Sequence, residues 1–405
     1  MPEQTRHASL DMLRGFAILG ILVMNIQAFA MPWPAYANPH AFGSMEGIHG
    51  WVYYLSHLFF DGKVYSLFAM MFGAGLALLA ERSLQADRSA SGRHYRRMLF
   101  LGVIGLLHGF FIWYGDILFI YAVCGSVAWL FLRRRTTTLL VVGVLLLLIP
   151  VLISLVLGWS MAHWPDELLV EMAQWWGPTS PAIAEDLAAY TGAYSDQLPV
   201  RAEVYLSIIS WSMGLHVFWH ATGLMLLGMA LYRLGMMTAD WSRRAYLLTL
   251  LLGLGLGLAL ALWGLLQIEA QNWRFPWTKF VGRQYNNTGA PLVALAYLSM
   301  IMLLYQTGRA RLVQKGLQAV GQTALSNYLL QSLVCTLIFY GHGLGLFGEV
   351  SRGWQAAIVP CIWFAQIGLS LWWLRHFRQG PVEWLGRCFS RLEAPAFRRQ
   401  SESRL

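Results

Sequence analysis

Charge is what this sequence has least of. Only 12% of its 405 residues are Asp, Glu, Lys or Arg, while 57% are apolar; a soluble domain carries roughly a quarter charged residues. That excludes an ordinary water-soluble domain. Cysteine is scarce too: Cys124, Cys335, Cys361 and Cys388 fall in apolar runs or in the basic C-terminal stretch. None is placed to form an extracytoplasmic disulfide, and no redox role follows. Walker, Rossmann and zinc signatures in their required contexts are missing. The net charge of +9 does not mark a nucleic-acid surface, because the basic residues sit in small clusters at the ends of apolar runs rather than on one face of a folded domain.

What is present is a series of apolar runs whose length matches a hydrocarbon core about 30 Å thick at about 1.5 Å per helical residue. They are too long and too uniformly apolar for the alternating strands of a barrel. The sequence therefore predicts an all-α, polytopic membrane bundle with ten spans: Ser9 to Ala30, Gly62 to Ala80, Met98 to Trp113, Ile117 to Leu132, Thr138 to Ser160, Val204 to Tyr232, Ala245 to Gln267, Gly289 to Tyr305, Gln318 to Tyr340 and Trp354 to Leu374. No small-residue cleavage site follows the first apolar core, so that span is expected to be retained as an anchor.

Alternate connections hold nearly all the arginine. Of 29 basic residues, 23 fall on one side, including Arg6, Arg14, Arg82, Arg88, Arg133 to Arg135 and the tail from Arg375; Lys63, Arg201, Arg274, Lys279, Arg283 and Arg352 fall on the other. By the positive-inside rule the richer side, with both termini, is cytoplasmic. Residues 1–405 read as a single membrane domain with a basic cytoplasmic tail at 375–405. The largest external feature, 161–203, carries seven carboxylates, Trp164, Trp175 and Trp176, and is expected to lie on the membrane as a lid or an aromatic interface anchor.

A charge at bilayer depth is costly, so each polar residue in a span needs a partner or a purpose. Asp11 and Arg14 share a face of the first span, and Asn25 lies deeper. His57 and Asp61 are four residues apart, followed by Lys63. His108 lies near the outer end of the third span, and Asp116 in the tight turn after it. The topology brings His57, Asp61, His108 and Asp116 to one leaflet, where an imidazole oriented by a carboxylate can act as a general base. A purely structural polar network has the same appearance. His216 and His220 are also four apart but lack a third ligand nearby, so no metal is expected. Asn327 and Gln331 share a face of the ninth span and either bond between helices or point into a tunnel.

Taken together, LDMLRGFAILGILVMN, YANP, KVYSLFAMMFGAGL, LHGFFIWYGDIL, GQTALSNYLLQSLVCTLIFYGHGLGLFG and WLRHFRQGPVEWLGR resemble the YeiB-like family of bacterial inner-membrane proteins over essentially the whole chain. That family is distantly similar to the transmembrane acyltransferases, among them heparan-glucosamine acetyltransferase. The resemblance implies transfer of an acyl group from a cytoplasmic thioester, such as an acyl-CoA, to a small-molecule, lipid or glycan acceptor outside, using a histidine. The chain lacks a clear copy of those enzymes' histidine motif, so His49, His57 and His108 compete for the role. The catalytic candidates are His57, Asp61, His108 and Asp116; the substrate-binding candidates are Arg14, Asn25, Lys63, Asn327 and Gln331. Membrane lipids are the expected surroundings. The rival expectation is a small-solute transporter without covalent chemistry, although no inverted repeat of the kind transporters often show is visible.

Overall fold

Lipid offers no hydrogen-bonding partner, so an apolar run that enters it must bond its own backbone and becomes a helix. A computed structural model describes residues 8–85 and 90–399, and its elements are helices, with one isolated β-bridge between Phe377 and Arg398. Arg6, Arg88, the side chain of Arg82 and residues 400–405 of the basic tail lie outside the described residues.

The order is α1 Ala8–Ala30, α2 Pro34–Ala37, α3 Ile48–Phe59, α4 Lys63–Gln85, α5 Ala90–Phe111, α6 Leu118–Ala128, α7 Thr136–Ser160, α8 Asp166–Gln174, α9 Pro181–Thr191, α10 Tyr194–Ser207, α11 Phe218–Arg233, α12 Arg243–Ala270, α13 Arg283–Thr307, α14 Arg311–Gln322, α15 Ala324–Phe339, α16 Arg352–His376 and α17 Pro381–Arg391. Seven helical stretches among the described residues are long and apolar enough to cross a membrane: Ala8–Ala30, Ile48–Glu81, Thr136–His163, Tyr194–Arg233, Arg243–Ala270, Thr278–Thr307 and Arg352–His376. This is a multi-pass α-helical membrane protein.

The remaining three of the ten expected spans fall on shorter or more polar helices. α5 opens with Arg93, Arg96 and Arg97, so only its second half is apolar. α6 has 11 residues and ends in the tight turn Trp129–Phe131. The run from Gln318 to Tyr340 is broken at Thr323, leaving a 16-residue α15. Two boundaries also move. α3 leads into α4 through a turn at Phe60–Gly62, so His57 and Asp61 lie within an apolar helical stretch rather than ahead of it. A wide π-helical turn, Ile208–Val217, joins α10 to α11, so Arg201 and Glu203 ride on a helix continuous with the sixth span.

α1 is enclosed by α4, α13, α14, α15 and α16, whereas α7, α12 and α16 turn most of their apolar surface outward. Helices in lipid gain little from hiding apolar surface from one another, so close backbone approach at small residues holds them together. α4 and α11 are such a pair: a Cβ on Gly73 would strike the Met225 backbone, and one on Gly228 the Met70 backbone. The main core is rich in Leu, Met and Ala. A second core, at the end of α1 away from Asp11, is aromatic and contains Phe29, Trp113, Tyr190, Tyr205 and Tyr340.

Segment 161–203 carries α8, α9 and most of α10. It is tied to the loop after α1, where the Trp33 N–H donates to Asp186 at 2.8 Å and the Asn38 amide to the Trp176 carbonyl at 3.0 Å. At the other end of the chain, Glu383 on α17 accepts from the Leu325 and Ser326 N–H groups at 2.7 and 3.1 Å and from the Ser326 hydroxyl at 2.6 Å. A carboxylate there satisfies donors that the first turn of α15 cannot pair internally.

Candidate functional site

Two histidine–aspartate pairs, the first partly and the second wholly buried, lie at the level of the last turns of α1, which touch both: the Gln27 amide donates to Ser56 beside His57, and Phe29 stacks on Trp113 beside His108. No hydrogen bond joins one pair to the other among the described residues.

In the first pair, one helical turn brings His57 Nδ1 to 2.9 Å from Asp61 Oδ2. Asn286, from the start of α13, donates to the Asp61 carbonyl and carboxylate at 3.3 and 3.4 Å. Lys63 is fully buried and donates to the His57 carbonyl at 2.9 Å and to the Asn286 side-chain oxygen. A buried ammonium is tolerable only with such acceptors around it. Tyr36 on α2 feels the same centre: burial pushes its hydroxyl well above the ordinary tyrosine range, the Asp61 charge adds to this, and the Arg283 guanidinium opposes it.

The second pair forms because α5 reverses into α6 within a short turn. The Ile112 and Trp113 N–H groups both reach the His108 carbonyl at 2.9 Å, closing the end of α5. Asp116 then sits at the start of α6, its Oδ2 accepting the Phe119 N–H at 2.8 Å, a favoured position for a carboxylate. His108 is buried with both ring nitrogens engaged: Nδ1 is 3.1 Å from Asp116 Oδ1 and Nε2 is 2.9 Å from Ser332 Oγ of α15. A carboxylate only accepts, so in the neutral imidazole Nδ1 carries the proton and Nε2 is the acceptor for the serine hydroxyl. The Tyr328 carbonyl lies 3.5 Å from Ser332 Oγ, too far to compete well for that proton. Tyr205 Oη is 3.5 Å from Asp116, and the Tyr328 ring is 5.1 Å from the imidazole.

Of the other expected residues, Arg14 donates to Asp11 at 3.0 Å and stays one-third exposed. Asn25 is half-buried, and its side chain makes no hydrogen bond among the described residues. Asn327 and Gln331 bond between helices: Asn327 to Thr323 and Ser370 at 2.8 and 2.9 Å, Gln331 to the Ile18 carbonyl and Gln366 at 3.0 and 2.9 Å. His49 accepts the Gly353 N–H at 3.3 Å. His216 and His220 stack at 5.2 Å, and no group of three or more metal-ligating side chains occurs among the described residues.

Sequence reasoning missed Ser332, Asn286 and the buried cations Arg201 and Arg352. Each arginine is anchored on backbone carbonyls: Arg201 on Phe111 at 2.8 Å, Arg352 on Ser44, Pro39 and Phe42 at 2.9 to 3.1 Å. A cavity of about 350 Å³ is lined by Phe111, Ile112, Tyr194, Leu333, Thr336 and His342. Another of about 580 Å³, mostly apolar, lies between α15 and α16 and includes Gln331 and Gln366.

The fold and these centres define a multi-pass helical membrane protein with buried imidazole–carboxylate pairs. The chain belongs to the YeiB-like family. Residues 231–393 match the family described as "Protein of unknown function (DUF418)". The chain is 34% identical over 404 residues to the uncharacterised protein YeiB of Escherichia coli strain K12, covering 98% of this chain and 99% of that one. It is 30% identical to the uncharacterised protein YxaH of Bacillus subtilis strain 168, with 93% and 92% covered. It is 23% identical to an uncharacterised 39.9 kDa protein in the amylase 3' region of Bacillus acidopullulyticus, with 94% and 93% covered. No solved structure matches the chain.

Proposed function

We propose that this is a transmembrane acyltransferase of a bacterial inner membrane, with ten crossings and both termini in the cytoplasm. It passes an acyl group from a cytoplasmic thioester, such as an acyl-CoA, to a hydroxyl or amine of a small molecule, lipid or glycan outside. The observation that carries this reading is His108, buried between Asp116 and a serine hydroxyl. An imidazole whose Nδ1–H is held by a carboxylate presents a basic Nε2, which is the arrangement acyl transfer uses to take a proton from an attacking hydroxyl. His57 has its carboxylate but no hydroxyl on Nε2 among the described residues, and His49 Nδ1 is occupied by a backbone N–H.

The surroundings support the same chemistry. Thr323, Asn327 and Gln331 recur every four residues from the start of α15 and lay a polar stripe against α1 and α16, while the next residue, Ser332, turns to His108. The apolar cavity between α15 and α16 suits an acyl chain. Arg14 and the arginines on its side attract an anionic donor. Asn25 is free to meet a substrate. Lys63, Asn327 and Gln331 would meet one only by exchanging bonds they already make. In this reading the His57–Asp61–Lys63 centre orients the acceptor.

The test is release of free thiol from acyl-CoA by the purified protein in lipid nanodiscs. The wild type is expected to release it, and His108→Gln to lose about 10²- to 10⁴-fold, the usual range for a positioned acid–base group. A wild type that neither binds nor cleaves acyl-CoA removes the reading.

A further inference from the structure

Resting on that reading, we propose that Ser332 is the nucleophile of the transfer, so that the acyl group crosses on an ester of this serine rather than passing directly from donor to acceptor. Three observations carry it. Ser332 Oγ, His108 and Asp116 form an unbroken hydrogen-bonded chain of 2.9 and 3.1 Å, with each member in the role that activates a serine. All three are buried, which excludes bulk water from an ester intermediate. Finally, the buried Trp113 Nε1–H has no hydrogen-bond acceptor among the described residues, and its ring lies 6.3 Å from that of His108. An unpaired buried donor is costly unless something absent from the structure accepts from it. The proposal assigns this donor to the oxyanion of a tetrahedral intermediate.

The chemistry closes in two steps. His108 Nε2 takes the Ser332 proton as Oγ attacks the thioester carbonyl; the C–S bond breaks, and the departing thiolate takes that proton to leave as a free thiol. The acyl group is now an ester on Ser332. His108 then takes the proton of an acceptor hydroxyl or amine that enters from the cavity lined by Thr336, one turn beyond Ser332 on the same helix. The acceptor attacks the ester, the C–Oγ bond breaks, and the proton returns to Ser332. No electrons are exchanged, and nothing but donor and acceptor is consumed.

Two measurements on the full-length protein decide the matter. First, wild type is quenched with acid during turnover of acetyl-CoA and digested, and the peptide containing Ser332 is weighed. It should gain one acetyl group, lost on hydroxylamine treatment, while Ser332→Ala shows no adduct and a loss of thiol release on the order of 10³-fold. Ser332→Cys, nearly isosteric, guards against misfolding and should accumulate the adduct as a thioester. If wild type turns over without an adduct, or Ser332→Ala keeps its rate, the inference fails while His108 as a direct base survives. Second, a fluorophosphonate probe needs no natural donor. Labelling of Ser332 that disappears in His108→Gln supports an activated serine even if acetyl-CoA is not used, whereas absence of labelling together with absence of an adduct overturns it.

Discussion

At the scale of single residues, the chemistry rests on which hydrogen bonds a histidine can make at once. His108 spends Nδ1 on Asp116 and Nε2 on Ser332, so replacement by Asn, which has the amide but not the reach, should break both contacts. Such a variant is expected to lose activity and also about 1–3 kcal/mol of stability, because Asp116 Oδ1 and the Ser332 hydroxyl lose their buried partner; Gln should lose activity with less of that cost. Thermal unfolding in nanodiscs, run beside the thiol assay, separates the two effects. Asp186 supplies a second residue-level expectation. Burial, together with the neighbouring Glu185 charge and against the Trp33 N–H bond, raises its carboxyl from its ordinary 3.8 to about 7. A raised carboxyl holds its proton longer in the folded state, so the stability it contributes is full below about pH 4 and is lost as pH rises through about 7. The docking of segment 161–203 should therefore loosen across that window, read as faster proteolysis near α8, and Asp186→Asn should flatten the dependence. Equal proteolysis of wild type and Asp186→Asn at pH 5 and pH 8 would count against it.

Local spacing explains which of these residues could be read from sequence. His57 and Asp61 are one helical turn apart, and His108 and Asp116 flank one tight reversal, so both contacts follow from neighbouring positions. Ser332 is 224 positions from His108, and a serine inside an apolar helix is ordinarily assumed to bond its own preceding turn. Nothing in the sequence singled it out. Asn286 was hidden for a different reason, since it lies ahead of the run from Gly289 and so read as outside the membrane. The burial of Lys63, Arg201 and Arg352 could not be read either, because carbonyls that bury a charge leave no mark in side-chain composition.

At the scale of elements, α15 is the part everything leans on. It carries Asn327 and Gln331 toward α1 and α16, Ser332 toward His108, and at its first turn it is held by Glu383 of α17. The tail is therefore a clamp on the helix that bears the candidate nucleophile as well as a charged anchor. Glu383→Ala removes the acceptor for two backbone N–H groups and one hydroxyl. It should cost about 1–2 kcal/mol, the upper part of the range for losing a helix cap, and should loosen amide exchange in α15 before it does so in α4 or α11. Uniform exchange across all three helices would mean that the cap is not what fixes α15. The same element shows where hydropathy misleads: the run from Gln318 to Tyr340 reads as one span, yet Thr323 bonds back to the Ala319 carbonyl and across to Ser370, and the helix breaks there.

At the scale of the whole molecule, the proposed sidedness rests on the arrangement of charge. With the native cysteines replaced by serine, a cysteine at Glu185 should react with an impermeant maleimide in intact cells, and one at Arg134 should not. The reverse pattern would invert the topology and put the His108 centre on the wrong face for the proposed transfer. The central claim is sided as well as chemical, so its most direct test combines both properties. The protein is inserted into proteoliposomes with a known fraction in each orientation, and acyl-CoA is supplied from outside. Thiol release is predicted to scale with the fraction whose C-terminal tail faces outward, and to vanish with His108→Gln in either orientation. Release that is absent at both faces, or that persists undiminished in His108→Gln, would contradict the account.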